Sequence, residues 1–167
     1  MLVYHPAFDL NHGMFRLIRL LETSPNRALK WDTYRILDFY YLFPDLLASA
    51  RLPRTMTSRK KAYANFGSKY SRVPSPRMFI QQMIGIHETV GRSLVGKGFI
   101  DASSYDARTL IRTEAAIPPD MSYAIETATA DSELVAMLAV EMAAIPLTGL
   151  NGLKDRTGLL EHRYDSV

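Results

Sequence analysis

Apolar residues near the start of the chain recur every three to four positions, which is the period of one face of an α-helix. They follow Asp9, a good N-cap because its carboxylate accepts a hydrogen bond from a backbone N–H of the first turn. We therefore predict a helix that begins after Asp9, ends at Ser24-Pro25-Asn26 and leaves Arg16 and Arg19 off its apolar face. That face consists of Leu10, Met14, Leu17, Ile18 and Leu21.

The next pattern, residues 29–44, is apolar on most sides and predicts a second helix that is buried in a core or pressed against a partner. Asp32 is its predicted N-cap, and Pro44 ends it and begins a short helix to Ala50. The crowding of aromatic residues leaves a strand open as the alternative. The two apolar faces are Tyr34, Leu37 and Tyr41, and Ile36, Phe39 and Phe43.

Residues 51–76 interrupt the helical pattern. Arg51–Arg54 is a predicted loop, and Ser58 caps a predicted short helix, residues 59–66, with Gly67 at its C-terminal end. Ser75-Pro76 then opens a long helix that ends near Gly96, because Ser is a preferred N-cap and Pro suits the first helical position. Its apolar face is Ile80, Met83, Ile84, His87, Val90, Gly91 and Leu94.

Two short β-leaning runs follow, residues 98–101 and 108–113, and the polar residues 102–106 between them predict a hairpin turn. Pro118-Pro119 breaks the chain before a helix to about Thr129. Asp131 or Ser132 caps a last helix, which ends at Pro146 and carries Leu134, Met137, Leu138 and Met142 on one face.

This order predicts a single, mainly α domain with minor β structure, spanning residues 1–167. Two helices, a longer third helix and a two-stranded wing are the order of a winged helix, which we assign to residues 27–117. An N-terminal helix (1–26), a helical extension (118–147) and an extended C-terminal segment (148–167) are added to that core, and the C-terminal segment is expected to lie on the domain or on a partner.

The charge of the chain is segregated. The formal net charge of the 167 residues is +3, but residues 114–167 hold nine acids against three bases. Residues 46–87 hold no acid and eight bases, which are Arg51, Arg54, Arg59, Lys60, Lys61, Lys69, Arg72 and Arg77. Hydrophobic residues make up 47% of the sequence, which is enough to close a core and excludes disorder as the main state.

The eight basic residues are candidate nucleic-acid contacts, because cations that neutralise phosphates release counterions. Tyr63, Phe66 and Tyr70 lie among them and suit stacking on bases. Two alternatives stay open: a basic surface for an acidic protein partner, and a solvated loop. The exposed face of the predicted third helix is weakly basic, so we expect contact with the DNA backbone rather than base reading.

Catalytic and metal-binding patterns are missing from the sequence. There is no cysteine, which excludes disulfides, thiolate nucleophiles and thiolate metal sites. His5, His12, His87 and His162 lack helical metal-ligand spacing, and no phosphate-binding loop motif occurs. Asp38 stands in an apolar helix, where a structural ion pair with Arg35 is expected. We predict no catalytic residue, no metal and no cofactor.

Localisation is expected to be cytoplasmic. No apolar run reaches the ~20 residues that cross a bilayer, so no membrane partner is predicted. The first residues lack the basic and apolar regions of a signal peptide. The aromatic residues Phe39, Tyr40, Tyr41 and Phe43 are most simply core residues, but they also suit a partner interface.

The amino-acid sequence of two stretches resembles that of the middle component of the bacterial ABC-three-component systems. The first comprises Tyr4–Asp9, His12, Phe15–Leu17, Arg19–Leu21 and Arg35–Pro44. The second comprises Gly152–Leu159 and Arg163–Asp165. The resemblance spans nearly the whole chain, and its motifs are not catalytic signatures.

The resemblance implies a small accessory protein that works with an SMC- or ABC-like ATPase subunit and an effector subunit in a Lamassu-like anti-phage system. We therefore expect a non-enzymatic adaptor that bridges ATPase and effector and contacts DNA through the basic residues. Phe39, Tyr40, Tyr41, Phe43, Arg163 and Tyr164 are its candidate partner-interface residues. There are two alternatives. The first is a free-standing winged-helix DNA-binding regulator that acts as a homodimer. The second is an enzyme with a site assembled across the fold.

Overall fold

Nine α-helices and one two-stranded sheet form the described part of the chain, which is residues 4–67 and 73–160 of a computed structural model. This confirms the mainly α fold with minor β structure. The helices are α1 (Leu10–Thr23), α2 (Trp31–Leu42), α3 (Thr57–Ala62), α4 (Pro76–Gln82), α5 (Ile84–Gly96), α6 (Ala102–Asp106), α7 (Pro119–Thr127), α8 (Ser132–Ala136) and α9 (Leu153–Thr157), and the strands are β1 (Ala28–Lys30) and β2 (Thr109–Ile111). Pro6–Phe8, Pro44–Ser49 and Arg54–Met56 are 3₁₀ turns, and Met137–Met142 continue α8 as a π-helix.

Helix α1 begins and ends where the sequence predicts. The Asp9 carboxylate accepts a hydrogen bond from the His12 N–H at 2.9 Å, as an N-cap should. Arg16 and Arg19 lie off the predicted apolar face, yet only 6% and 5% of these residues are exposed. Both are buried because each guanidinium finds acidic or carbonyl partners inside the fold.

The caps of two other helices differ from prediction. Lys30, not Asp32, is the N-cap of α2, and Met56, not Ser58, is the N-cap of α3. The long helix expected after Ser75 begins there, with Ser75 accepting a hydrogen bond from the Met78 N–H, and ends at Gly96. It is divided at Met83 into α4 and α5.

The sheet pairs strands that are distant in sequence. Strand β1 runs antiparallel to β2, with Leu29 opposite Leu110. The predicted hairpin between residues 98–101 and 108–113 is reduced to a single bridge between Ile100 and Arg112. The polar residues between them form α6 rather than a turn, because the Asp101 carboxylate caps the Ser104 N–H at 2.8 Å. The winged-helix arrangement stays a prediction.

The described part of the C-terminal segment, residues 148–160, lies on the domain, but it is not extended throughout. Residues 153–157 form α9, and the N–H of Leu153 donates to the carbonyl of Pro146 at 2.7 Å. Leu153, Leu159 and Leu160 are buried, which supplies the apolar contact that holds this segment down.

The core lies between α1, α2, α5 and the π-helix Met137–Met142 that continues α8. Its largest buried side chains include Tyr34, Phe39, Phe43 and Leu17. The Phe39 and Phe43 rings are 5.2 Å apart, and Phe43 lies 5.1 Å from Phe79 of α4. In the described ranges, no helix combines the length and the apolar character needed to cross a membrane.

Candidate functional site

A buried ionic cluster joins α1, α2 and α5. Arg16 of α1 donates from Nε and Nη2 to the two carboxylate oxygens of Asp38 on α2, at 2.6 and 3.1 Å. His87 Nε2 of α5 lies 3.1 Å from Asp38 Oδ2 and donates to it, because an ionised carboxylate only accepts. Asp38 and His87 are 0% and 1% exposed, so the cluster is sealed from solvent.

The charge of Asp38 is stabilised inside the core. Burial alone would raise the pKa of this carboxyl, but the Arg16 charge and the hydrogen bonds from His87 and Arg16 outweigh burial and lower the pKa to about 2. The expected partner of Asp38, Arg35, is instead 3.4 Å from Asp32 and donates to the Ile80 carbonyl. The ion pair was therefore predicted, but its partner was wrong, because Asp38 points across the core rather than along its own helix.

Two further polar atoms lie beside the cluster without a hydrogen-bond partner among the described residues, the Tyr34 hydroxyl and His87 Nδ1. The two rings meet edge to face at 5.2 Å. Burial, followed by the nearby Asp38 charge, raises the pKa of Tyr34 well above its usual value. The Tyr34 phenol therefore stays neutral. Neither the Tyr34 hydroxyl nor His87 Nδ1 is accessible to a substrate in solvent.

Arg19 connects α1 to the helical extension. Its guanidinium donates to the Tyr41 hydroxyl at 2.6 Å, to the Asp131 carboxylate and to the Ala128 carbonyl. Burial, followed by the Asp131 charge, raises the pKa of Tyr41 to about 12.

Arg112 anchors the segment after β2. It donates to Glu22 of α1 at 2.8 Å and to the carbonyl oxygens of Thr113 and Ala115 at 2.7 and 2.6 Å. With Arg16 and Arg19, it is the third buried arginine that ties a distant segment to α1.

The basic residues predicted to bind nucleic acid fall into three groups. Arg51 pairs with Asp155 at 3.0 Å, Arg59 pairs with Glu141, and Lys60 donates to the Ala50 carbonyl at 2.7 Å, so these three are engaged within the fold. Arg54, Lys61 and Arg77 are exposed. Lys69 and Arg72 lie outside the described residues. Residues 46–87, which we call the basic stretch, are thus partly neutralised by acidic residues of segment 114–167, the acidic end of the chain.

The predicted partner-interface residues are mostly inside the fold. Phe39, Tyr40 and Phe43 are between 0% and 2% exposed, which fits the core alternative, because a buried side chain offers no surface to a partner. Tyr41 is half-buried against Arg19. Arg163 and Tyr164 lie outside the described residues.

The sequence analysis missed the burial of Arg16 and Arg19, and it placed His87 on an apolar helix face without finding its contact with Asp38. The one signal in the sequence was Asp38 in an apolar helix, which calls for a charged partner. That partner lies 22 residues away on another helix, a distance at which spacing carries no information. Within the described ranges, no cluster of three or more His, Asp or Glu side chains offers a metal site.

Comparison with known proteins identifies one family. No curated protein matches the chain, and no solved structure does. The family model of the ABC-three component (ABC-3C) system Middle Component 5 matches residues 2–165, which is nearly the whole sequence. On that match, the chain belongs to the Middle Component 5 family of ABC-three component systems.

Proposed function

We propose that this middle component is a non-enzymatic cytoplasmic adaptor that bridges the ATPase and effector subunits of its system. Membership of the family makes it a component of a multi-component system. The observation that carries the non-enzymatic role is the burial of the ionic cluster of Arg16, Asp38 and His87. Asp38 is 0% exposed and accepts three hydrogen bonds from two other helices, so it holds three helices together and offers a substrate no accessible oxygen.

An exposed apolar patch supports docking of a partner subunit. Tyr4, Phe8 and Met78 are 63%, 46% and 64% exposed, and we call them the N-terminal patch. The Phe8 ring lies 5.6 Å from the ring of Phe79, which follows Met78 in sequence and packs against the core residue Phe43. Aromatic residues and methionine are enriched at protein interfaces, which suits this patch to a subunit contact.

Copurification tests this docking role. The chain, the ATPase and the effector are expressed together, with Met78→Glu as the variant and Tyr123→Glu, at a 70% exposed aromatic outside the patch, as the control. We expect Met78→Glu to weaken the complex about tenfold, because it places a charge in an apolar contact, and Tyr123→Glu to leave it unchanged. If the two variants copurify equally well with the partner subunits, the N-terminal patch is not part of the interface.

We also propose that the exposed part of the basic stretch contacts the DNA backbone. Arg54 and Lys61 are exposed, and Phe66 is 65% exposed with its ring 5.3 Å from Tyr63. Exposed cations and an exposed ring within one short segment, residues 54–66, suit phosphates with adjacent bases.

Salt-dependent DNA binding tests this contact. Reversal of Arg54 and Lys61 to glutamate should reduce the magnitude of the negative slope of log K against log salt by roughly two, because each phosphate contact contributes about −0.9 to that slope. The matched control reverses Arg92 and Lys97, two exposed cations outside the basic stretch, and produces the same net charge. If both double variants lose affinity equally, the basic stretch has no special role.

A further inference from the structure

The free edge of strand β1 lies in a groove that no function described so far uses. The groove has a volume of about 450 Å³, and Pro25, Ala28 and Lys30 line one side of it. Val140, Ala144 and Leu147 are among the residues that line the other side. We call it the β1-edge groove.

The backbone of β1 presents unpaired groups to this groove. The Arg112 N–H donates to the Arg27 carbonyl, and the Trp31 N–H donates to the Arg108 carbonyl. Hydrogen-bonded positions alternate in an antiparallel pair, so Arg27, Leu29 and Trp31 face β2, and Ala28 and Lys30 face the other edge. No described residue bonds to the N–H or carbonyl of Ala28 or to the N–H of Lys30.

The opposite wall of the groove is apolar and comes from an unusual helix. Val140 is 40% exposed and belongs to the π-helix Met137–Met142, a geometry that is rare and often found at functional sites. Ala144 and Leu147 follow it along the same wall. An apolar wall beside an open strand edge has the two parts of a peptide-binding groove: backbone pairing for affinity and a pocket for alternate side chains.

The rim of the groove is basic. A second cleft of about 540 Å³ shares Lys30 and Leu147 with the β1-edge groove and adds Arg35 and Arg108. Asp32 is the acid that lines this cleft, and it already contacts Arg35 at 3.4 Å and Lys154 at 2.9 Å. The Lys30 ammonium has no ion-pair partner among the described residues. Arg108 pairs with Glu88 at 2.8 Å. Lys30 is therefore the cation at the rim that an occupant would meet, and charge complementarity favours an acidic occupant.

We propose that the β1-edge groove binds an extended segment of another component of the same system, which adds a third strand to β1. The segment alternates apolar residues, directed at Val140 and Leu147, with acidic residues near Lys30. The proposal rests on the proposed adaptor function, because it names where one of the bridged subunits is held.

Lys30 offers a precise test of the strand pairing. Its φ of −66° suits proline, so Lys30→Pro removes the outward N–H without straining the backbone. The matched control Lys30→Ala removes the charge and keeps the N–H. We expect Lys30→Pro to weaken binding of the purified partner components at least about tenfold, and Lys30→Ala at most about fivefold. The melting temperature of Lys30→Pro should stay within about 3 °C of that of the wild type.

Amide hydrogen exchange on the wild-type complex supplies the second measurement. Slower exchange at Ala28 and Lys30 on assembly supports strand addition. If the complex forms but these amides exchange as in the free chain, or Lys30→Pro binds as the wild type does, the groove proposal is overturned and the adaptor function stands. Protection by DNA alone, or by self-association of this chain, also overturns it. If no complex forms, both proposals fail.

Discussion

Asp38 shows how a single charged residue shapes this fold. Its carboxylate is fully buried, and it is held by one guanidinium and one imidazole from two other helices. Removing one partner of a buried pair leaves an uncompensated charge, which costs far more than losing a surface pair. The cluster therefore fixes the relative placement of α1, α2 and α5.

Replacement of Asp38 by asparagine should lower the free energy of unfolding by about 3–5 kcal/mol, because Arg16 would remain buried and unpaired. Urea denaturation measures the change. Glu141→Gln, which breaks the exposed pair with Arg59, is the matched control and should cost far less. A similar loss in both variants would show that the cluster is not a special source of stability.

Acid should reduce the stability difference between the wild type and Asp38→Asn in a defined pH range. The pKa of Asp38 falls from its ordinary value of 3.8 to about 2 in the folded chain. A depressed carboxyl pKa stabilises the fold above the unfolded value and loses that stabilisation as pH falls towards the folded one. The stability gap between wild type and Asp38→Asn should therefore narrow by about 1 kcal/mol between pH 6 and pH 3. A gap that stays constant in urea titrations would contradict the ionised state of Asp38.

At the scale of elements, the helical period of the sequence predicted α1, α2 and the α4–α5 helix, because each carries an apolar stripe several turns long. It missed β1, since three residues are too few to show an alternating pattern. It also missed the pairing of β1 with β2, which closes a loop of about 80 residues, and local propensity does not encode such a contact.

Two glycines on helices distinguish the effect of side-chain packing on stability from the effect of helix propensity. A Cβ on Gly13 of α1 would lie 2.6 Å from Val90 Cγ2 of α5, whereas a Cβ on Gly85 would meet nothing within 4 Å. Gly13→Ala should destabilise the chain by about 1–3 kcal/mol, because α1 and α5 would have to move apart. Gly85→Ala should stabilise it by about 0.5–1 kcal/mol, since alanine is the better helix former. Thermal unfolding of both variants checks the signs, and a stabilising Gly13→Ala would contradict the close contact.

At the scale of the whole molecule, charge is separated along the sequence but partly joined in the fold. Arg51 and Arg59 of the basic stretch pair with Asp155 and Glu141 of the acidic end. Composition alone suggested eight cations for nucleic acid, and it could not show which of them the chain itself neutralises. Arg54 and Lys61, the N-terminal patch and the β1-edge groove are therefore the surfaces that we propose for partners.

The proposed adaptor function requires that this middle component bridges two other subunits. Copurification of the ATPase and the effector with and without this chain tests that requirement. We expect a stable complex of the three proteins and no association of ATPase with effector when the chain is omitted. Association of the two at equal strength without the chain would contradict the adaptor function.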